Sequence, residues 1–330
     1  MMDKVKWGIL STAKIARQQV IPGMQIGRFC DVHAIASREL DAAKKAAEQL
    51  AIPHAYGTYE ELLADPEIQA VYNPLPNHLH VYWSMKAAEA GKHVLCEKPL
   101  GVNAQDAEKL VKCCREKGVL LMEAFMYRTH PQWILAKEYV HDGKIGDLKA
   151  IQAFFSYMGR DPNNIRNRAD LPGSGGMMDI GCYPVSLSRF LFNGEPKRVI
   201  ALISRDPDMR IDTLGSVMLE FEQGHATFTC STQLMPYQRV NILGTEGRFE
   251  LEIPFNAPSD QPTKIYYSSE AGLETRSLAA CHQYQIEADM FSKAILDGSP
   301  LPTPPEDAIA NMKVLDAIFR SEKSGTWETV

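Results

Sequence analysis

From residue 4 to about residue 123, short apolar runs alternate with segments of helical period, and this alternation restricts the chain more than any other feature. Residues 4–10, Val32–Ser37, Ala70–Asn73, His93–Cys96 and Leu120–Glu123 have the length and composition of strands, and Ala55–Gly57 is a short extended stretch. Between them, Leu40–Leu50, Tyr59–Leu63, Leu79–Ala90 and Ala104–Lys117 repeat apolar residues every three or four positions. Gly91 and Gly118 stand where helix C-caps are expected. Strands that alternate with helices build βαβ units, and such units pack into a doubly wound parallel sheet. The expected first domain is 1–123.

Past about residue 150 the texture changes. Ile151–Tyr157, Arg198–Arg205, Gly215–Phe221, His225–Gln233, Arg239–Leu243, Gly247–Ile253 and Lys264–Ser268 follow one another as strands, with Gly, Pro, Asp and Asn between them. A meander of this kind predicts an α+β second domain, 124–330, on a mostly antiparallel sheet. Two helices, about 283–297 and 305–323, close the chain.

Two domains suit 330 residues. The formal net charge of −6 excludes the basic face that broad nucleic-acid binding needs. No apolar run approaches the roughly 20 residues of a membrane span. Met1 to Trp7 lead straight into a strand without a secretory apolar core. The seven cysteines are scattered and include no Cys-x-x-Cys pair, so reduced thiols in a cytoplasmic protein are expected.

Three motifs carry chemistry. The run His93-Val94-Leu95-Cys96 ends in Glu97-Lys98-Pro99, which places charge at the C-terminal end of a buried strand, where open α/β sheets bind ligands. Pro99 stops the ladder and suits a cis bond that aims Lys98. The segment Gly8 to Ala16 joins the first strand to the first helix, where a dinucleotide pyrophosphate needs close backbone approach. Of the usual three glycines only Gly8 remains; Ser11 and Ala13 are small, Ser11 and Thr12 add hydroxyls, and Ile15 follows. The second strand ends in Ala36-Ser37-Arg38 rather than an acid, which suits a 2′-phosphate and favours NADP(H) over NAD(H). A solvated arginine at a helix start is the alternative for Arg38. Finally, Asp179 and Tyr183 are four residues apart and share one face if the segment is helical. With Lys98 they suggest proton transfer.

Together with Pro74-Leu75-Pro76-Asn77-His78-Leu79-His80 and Glu123-Ala124-Phe125-Met126-Tyr127-Arg128, these motifs resemble the Gfo/Idh/MocA oxidoreductase family over essentially the whole chain. The resemblance implies a Rossmann domain followed by a domain on a large, open, mostly antiparallel sheet that carries a homodimer interface. It also places Pro74, Pro76, Asn77 and His80 along the cofactor, and Glu97 on a cofactor ribose hydroxyl. Many family members have histidine at the position of Tyr183. Tyrosine resembles the branch of glucose-fructose oxidoreductase, dimeric dihydrodiol dehydrogenase and NADP-linked xylose dehydrogenases. A phenol of ordinary pKa about 10 acts as a base when a nearby ammonium favours phenolate. Tyr183 is therefore expected to be the acid/base with Lys98 as its partner, the alternative being proton transfer by Lys98 itself.

Asp179 orients a substrate hydroxyl or holds Lys98; equally, it is an N-cap after Gly175-Gly176. Arg128 is expected on cofactor or substrate, or solvated, and Arg166 faces the substrate. His78 and His80 are two apart and share no helix face, so no metal is expected. The expected activity is NADP(H)-dependent hydride transfer on a sugar or polyol. A trans-dihydrodiol dehydrogenase is the first alternative, and a non-catalytic NADP-dependent sugar sensor is the second.

Overall fold

The computed structural model describes residues 3–330; Met1 and Met2, which open the expected first domain, lie outside the described residues. The chain forms two compact units. One is the chain up to Met126 together with His282–Ile309, and the other is Tyr127–Cys281 with Ala310–Val330.

In the first unit six strands, β1 (Val5–Leu10), β2 (Cys30–Ala36), β3 (His54–Tyr56), β4 (Ala70–Asn73), β5 (His93–Glu97) and β6 (Leu121–Ala124), alternate with α1 (Ile21–Gln25), α2 (Leu40–Gln49), α3 (Tyr59–Ala64), α4 (Asn77–Glu89) and α5 (Ala104–Lys117). The sheet is parallel, in the order β3-β2-β1-β4-β5-β6. The order reverses between β1 and β4, so the C-terminal ends of these strands flank the crevice where doubly wound folds bind ligands. Local signals set the helix ends. Thr58 and Glu61 form a capping box on α3, Asn103 caps α5, and Gly118 closes α5 in the left-handed conformation.

The second unit opens with α6 (Pro131–His141) and contains a nine-stranded sheet with α7 (Cys182–Phe192). Its strands are β7 (Leu148–Met158), β8 (Arg198–Arg205), β9 (Asp212–Glu220), β10 (His225–Ser231), β11 (Gln233–Gly244), β12 (Gly247–Leu251), β13 (Thr263–Ser269), β14 (Gly272–Leu278) and, after the last helix, β15 (Glu328–Thr329). The order is β14-β13-β12-β11-β7-β10-β9-β8-β15. Every pairing is antiparallel except β7 with β10. One face buries Ile151, Ala153, Phe155, Val217, Leu219, Phe228 and Val240. The other leaves Leu202 76% exposed, and Met218 and Tyr237 are also open.

The terminal helices are α8 (Gln283–Asp297) and α9 (Pro305–Ser324). The expected division places α8 with the second domain, whereas in the structure it packs on the first unit. Phe291 meets Trp7 with ring centroids 5.6 Å apart, and the Trp7 indole donates to Ser292 Oγ at 3.0 Å. Asp289 accepts from the Arg28 and Phe29 amides at 3.0 and 2.8 Å. An indole buried at the start of β1 needs a partner for its N–H, and α8 supplies it.

Candidate active site

At the C-terminal end of β1, Ser11 has a φ of 126°, a conformation that glycine adopts freely and serine does not. The Ser11 hydroxyl accepts from the Ala13 amide at 3.1 Å, and Arg17 donates to the Thr12 carbonyl at 2.9 Å. The following helical turns include a π-helical segment, Ala16–Val20. Gly8 and Ile15 differ from expectation. Gly8 lies inside β1, where an added Cβ would stand 2.6 Å from Leu62 Cδ2, so its bareness lets α3 pack on the sheet. Ile15 packs against the hydrophobic core. At the end of β2, Arg38 is exposed and the Ser37 amide donates to the Tyr56 carbonyl. Hydroxyls, loop amides and a guanidinium at adjoining strand ends form a set of donors, which fits a phosphorylated dinucleotide.

The turns after β4 and β5 are pinned by buried polar groups. Asn73 donates to the His80 carbonyl at 3.1 Å and to Ser84 Oγ at 2.9 Å, and accepts from the Leu75 amide at 3.2 Å. Pro74 and Pro76 sit in this turn, and Asn77 begins α4. His80, expected along the cofactor, is fully buried instead. Its Nε2 lies 2.6 Å from the Leu75 carbonyl and its Nδ1 2.9 Å from the Pro99 carbonyl, which ties the two turns together. Burial lowers its pKa to about 4.

The Lys98–Pro99 bond is cis. On either side of Lys98 the chain is anchored: Tyr72 donates to Glu97 Oε1 at 2.5 Å, and the Leu100 amide donates to Glu123 Oε1 at 2.7 Å. Glu97, expected on a ribose, thus has one oxygen committed to a buried phenol. Burial, followed by the Glu97 charge, raises the Tyr72 pKa, and the same two causes hold Glu287 of α8 well above the usual carboxylate range.

In the second unit a π-helical segment, Met177–Gly181, leads into α7. The Met177 amide donates to Asp212 Oδ2 at 2.5 Å. A Cβ on Gly175 (φ +99°) would collide with that carboxylate. Asp179 is no N-cap: Gly176 and Gly181 hold those positions. Its carboxylate accepts from Arg166 Nε at 2.8 Å and from the Tyr157 hydroxyl at 2.7 Å. Asp179 and Arg166 are thus brought together as an ion pair, with Arg166 the more exposed partner. Burial, then the Asp179 charge, pushes the Tyr157 phenol up.

One turn on, Tyr183 is surrounded by rings. Its centroid lies 5.1 Å from Phe255, 5.6 Å from Phe155 and 5.9 Å from Tyr127. Arg128, expected on cofactor or substrate, is buried and bonds to Ser186 of α7 through both the hydroxyl and the carbonyl, over the Phe190 ring. It supports the helix that carries Tyr183.

Sequence reasoning missed Tyr72, Asn73, Glu123, Tyr157 and Asp212. For Asn73 and Glu123 a signal exists, a polar residue near the end of an apolar strand; for Tyr157 and Asp212 none does. Among the described residues no group of three His, Cys, Asp or Glu could hold a metal.

Two family models match the chain: an oxidoreductase family model with an NAD-binding Rossmann fold over residues 5–125, and a GFO/IDH/MocA C-terminal domain over residues 133–250. An uncharacterised oxidoreductase of Rhizobium meliloti is 46% identical, covering 100% of both chains. D-xylose 1-dehydrogenase (NADP(+)) 2 of Haloferax volcanii is 38% identical over 97% of this chain and 98% of its own. The crystal structure of KijD10, a 3-ketoreductase from Actinomadura kijaniata in complex with NADP and TDP-benzene, superposes with a TM-score of 0.90. That structure is 30% identical, over 97% of this chain and 98% of its own.

Proposed function

The chain belongs to the Gfo/Idh/MocA oxidoreductase family, and within it we propose an NADP(H)-dependent dehydrogenase that exchanges hydride with a carbinol or carbonyl carbon of a sugar or related polyol. The observation that carries this reading is Lys98 at the C-terminal end of β5, on a turn anchored by Tyr72, His80 and Glu123. Bound NADP(H) supplies the hydride acceptor or donor. The chain's own residues supply the rest. Tyr183 takes or gives the hydroxyl proton, and the Lys98 ammonium favours its phenolate form. Its ring is held by Phe155, Phe255 and Tyr127, so the phenol has little freedom to leave its position. Asp179, paired with Arg166, provides charged acceptors and donors for substrate hydroxyls, which suits a polyol better than a flat hydrocarbon diol.

Ser37 and Arg38 support the preference for NADP(H), and the 38% identity to an enzyme named for NADP(+) agrees with it. A panel of aldoses, ketoses and cyclic diols, each with NADP(H) and NAD(H), tests the reading at the nicotinamide absorbance. Turnover of an aldose with NADP(H) is expected. Turnover of cyclic diols alone moves the substrate class, and no turnover with any member removes the enzyme reading.

We further propose that the open sheet face pairs with a second copy. A groove of about 710 Å³ crosses it, lined in part by Phe154, Leu202, Met218 and Tyr237, and apolar faces of this kind mark association surfaces. Leu202→Glu is expected to convert a dimer into a monomer in sedimentation. A wild-type monomer at micromolar concentration would remove the proposal.

A further inference from the structure

Asp212 is a buried carboxylate to which the proposed chemistry gives no part. It opens β9 and is only 4% exposed. The connection that delivers it is tight. The Asp206 amide donates to the Ile211 carbonyl at 2.9 Å, and the β8–β9 register shifts between Ser204 and Arg205, beside Asp212. Irregularities of this kind re-aim a side chain. Here the carboxylate is turned onto the segment that carries Asp179.

Two residues of that segment receive it. Met177 begins the π-helical turn, and its amide donates to Asp212 Oδ2 at 2.5 Å. Met177 is held by its side chain as well: a Cβ on Gly181 would collide with its sulfur, and one on Gly215 would stand 2.6 Å from its Cε. Gly175 is the second. The Asp212 carboxylate occupies the space where a Cβ on Gly175 would lie, and the φ of +99° at Gly175 also favours glycine.

Gly175 joins the ion pair of the candidate site. Its amide donates to the Arg166 carbonyl at 2.9 Å, and its carbonyl accepts from the Asp179 amide at 3.0 Å. Arg166 Nε and Asp179 Oδ1, 13 residues apart in the chain, then meet at 2.8 Å. Both partners thus hang from opposite polar groups of one glycine. A carboxylate that fills the open side of this glycine and holds the amide two residues on sets where both partners lie.

We propose that Asp212 is a positioning residue for the sugar site: through Gly175 and Met177 it fixes the placement of Arg166 against Asp179, and so the pattern of substrate hydroxyls that the pair binds. This deepens the sugar or polyol reading and rests on it. Asp212 acts through the pair and not on the substrate.

The test is steady-state turnover of D-xylose with NADP+, or of the best aldose of the panel where D-xylose is not turned over, with NADPH affinity read separately by fluorescence. Asp212→Ala should raise the sugar KM about tenfold and lower kcat about tenfold, because small displacements of positioning groups are costly. NADPH affinity should stay unchanged. A merely destabilised variant loses active enzyme and therefore kcat, while the KM of the remainder keeps its wild-type value. Asp212→Asn keeps an acceptor for the Met177 amide and should stay within about threefold of wild type in both constants. Gly175→Ala, which puts a methyl group against the carboxylate, should reproduce the rise in KM, and it carries the test if Asp212→Ala does not fold. An unchanged KM in the folded variants overturns the proposal, however far kcat falls. So does an Asp212→Asn variant as impaired as Asp212→Ala. If the wild type turns over no aldose at all, the sugar reading fails first and takes the proposal with it.

Discussion

The two units hold their candidate site residues in different ways. In the first, the frame is mostly made by side chains reaching main-chain atoms. Asn73 bonds the Leu75 amide and the His80 carbonyl, His80 meets two carbonyls, and Glu123 takes the Leu100 amide. In the second, side chains hold side chains: Arg166 and Tyr157 on Asp179, and three rings around Tyr183. A turn fixed through its backbone keeps its shape when the exposed functional group is changed. A side chain fixed by other side chains moves when any of them is changed. The first unit should therefore separate chemistry from positioning, and the second should couple them.

The largest test removes the proposed acid/base pair. Lys98→Met and Tyr183→Phe should each lower turnover by about 10³, within the range for losing a general acid/base or its partner. NADPH affinity, followed by fluorescence, should stay within about threefold for Lys98→Met, because the anchors at Tyr72, His80 and Glu123 remain. Strong loss of NADPH binding in that variant would break the comparison. Next come the neighbours in the second unit. Asp179→Asn should cost about 10² in turnover, and Tyr157→Phe about tenfold, although neither changes Tyr183 itself. Full activity in Tyr157→Phe would show that the rings alone position Tyr183.

A smaller effect concerns pH. Burial lowers His80 in the first unit and His130 in the second from an ordinary 6.5 to about 4. Between those values the unfolded chain binds a proton that the folded chain refuses. The contribution of these two histidines therefore falls as pH drops through this window, by at most about 1.4 kcal/mol per pH unit for each, while Glu287, held well above the usual carboxylate range, acts in the opposite direction. Urea midpoints across pH 4 to 7, compared between wild type and His80→Gln, should show the His80 share of this slope lost in the variant. An equally steep slope in that variant would assign the effect elsewhere. The smallest effect is Ser84→Ala, which removes one bond to Asn73 and should cost about 1 kcal/mol in urea unfolding with turnover within about twofold.

The same contrast explains what could be read in the sequence. The parallel strands are short apolar runs bounded by caps, so the six-stranded sheet and the position of Lys98 follow from local pattern. In the second unit, β14 reads Gly-Leu-Glu-Thr-Arg-Ser-Leu and is largely exposed as an edge strand, so no alternation marks it. The helix α6 buries Gln132, Trp133, Ala136 and Tyr139 with little polar contrast around its circumference. Arg128 and Arg166 illustrate the limit for the site. Neither arginine has its partner beside it in the sequence: one is bonded to Ser186 and the other to Asp179, 58 and 13 residues away. Such partners are chosen by the tertiary fold, and no spacing rule announces them. The position of Ser37-Arg38 at the end of β2 was legible because they close a recognisable strand.

The return of His282–Ile309 to the first unit bears on how the protein is made. Trp7 and the amides of Arg28 and Phe29 find their partners in Ser292 and Asp289, nearly the whole chain later. During synthesis the amino-terminal sheet must wait, incomplete, until the second unit has left the ribosome and α8 has followed it. A fragment cut after residue 123 would leave that indole and the Arg28 and Phe29 amides without their partners on α8. The first unit is completed only by a helix that follows the sheet of the second in the chain.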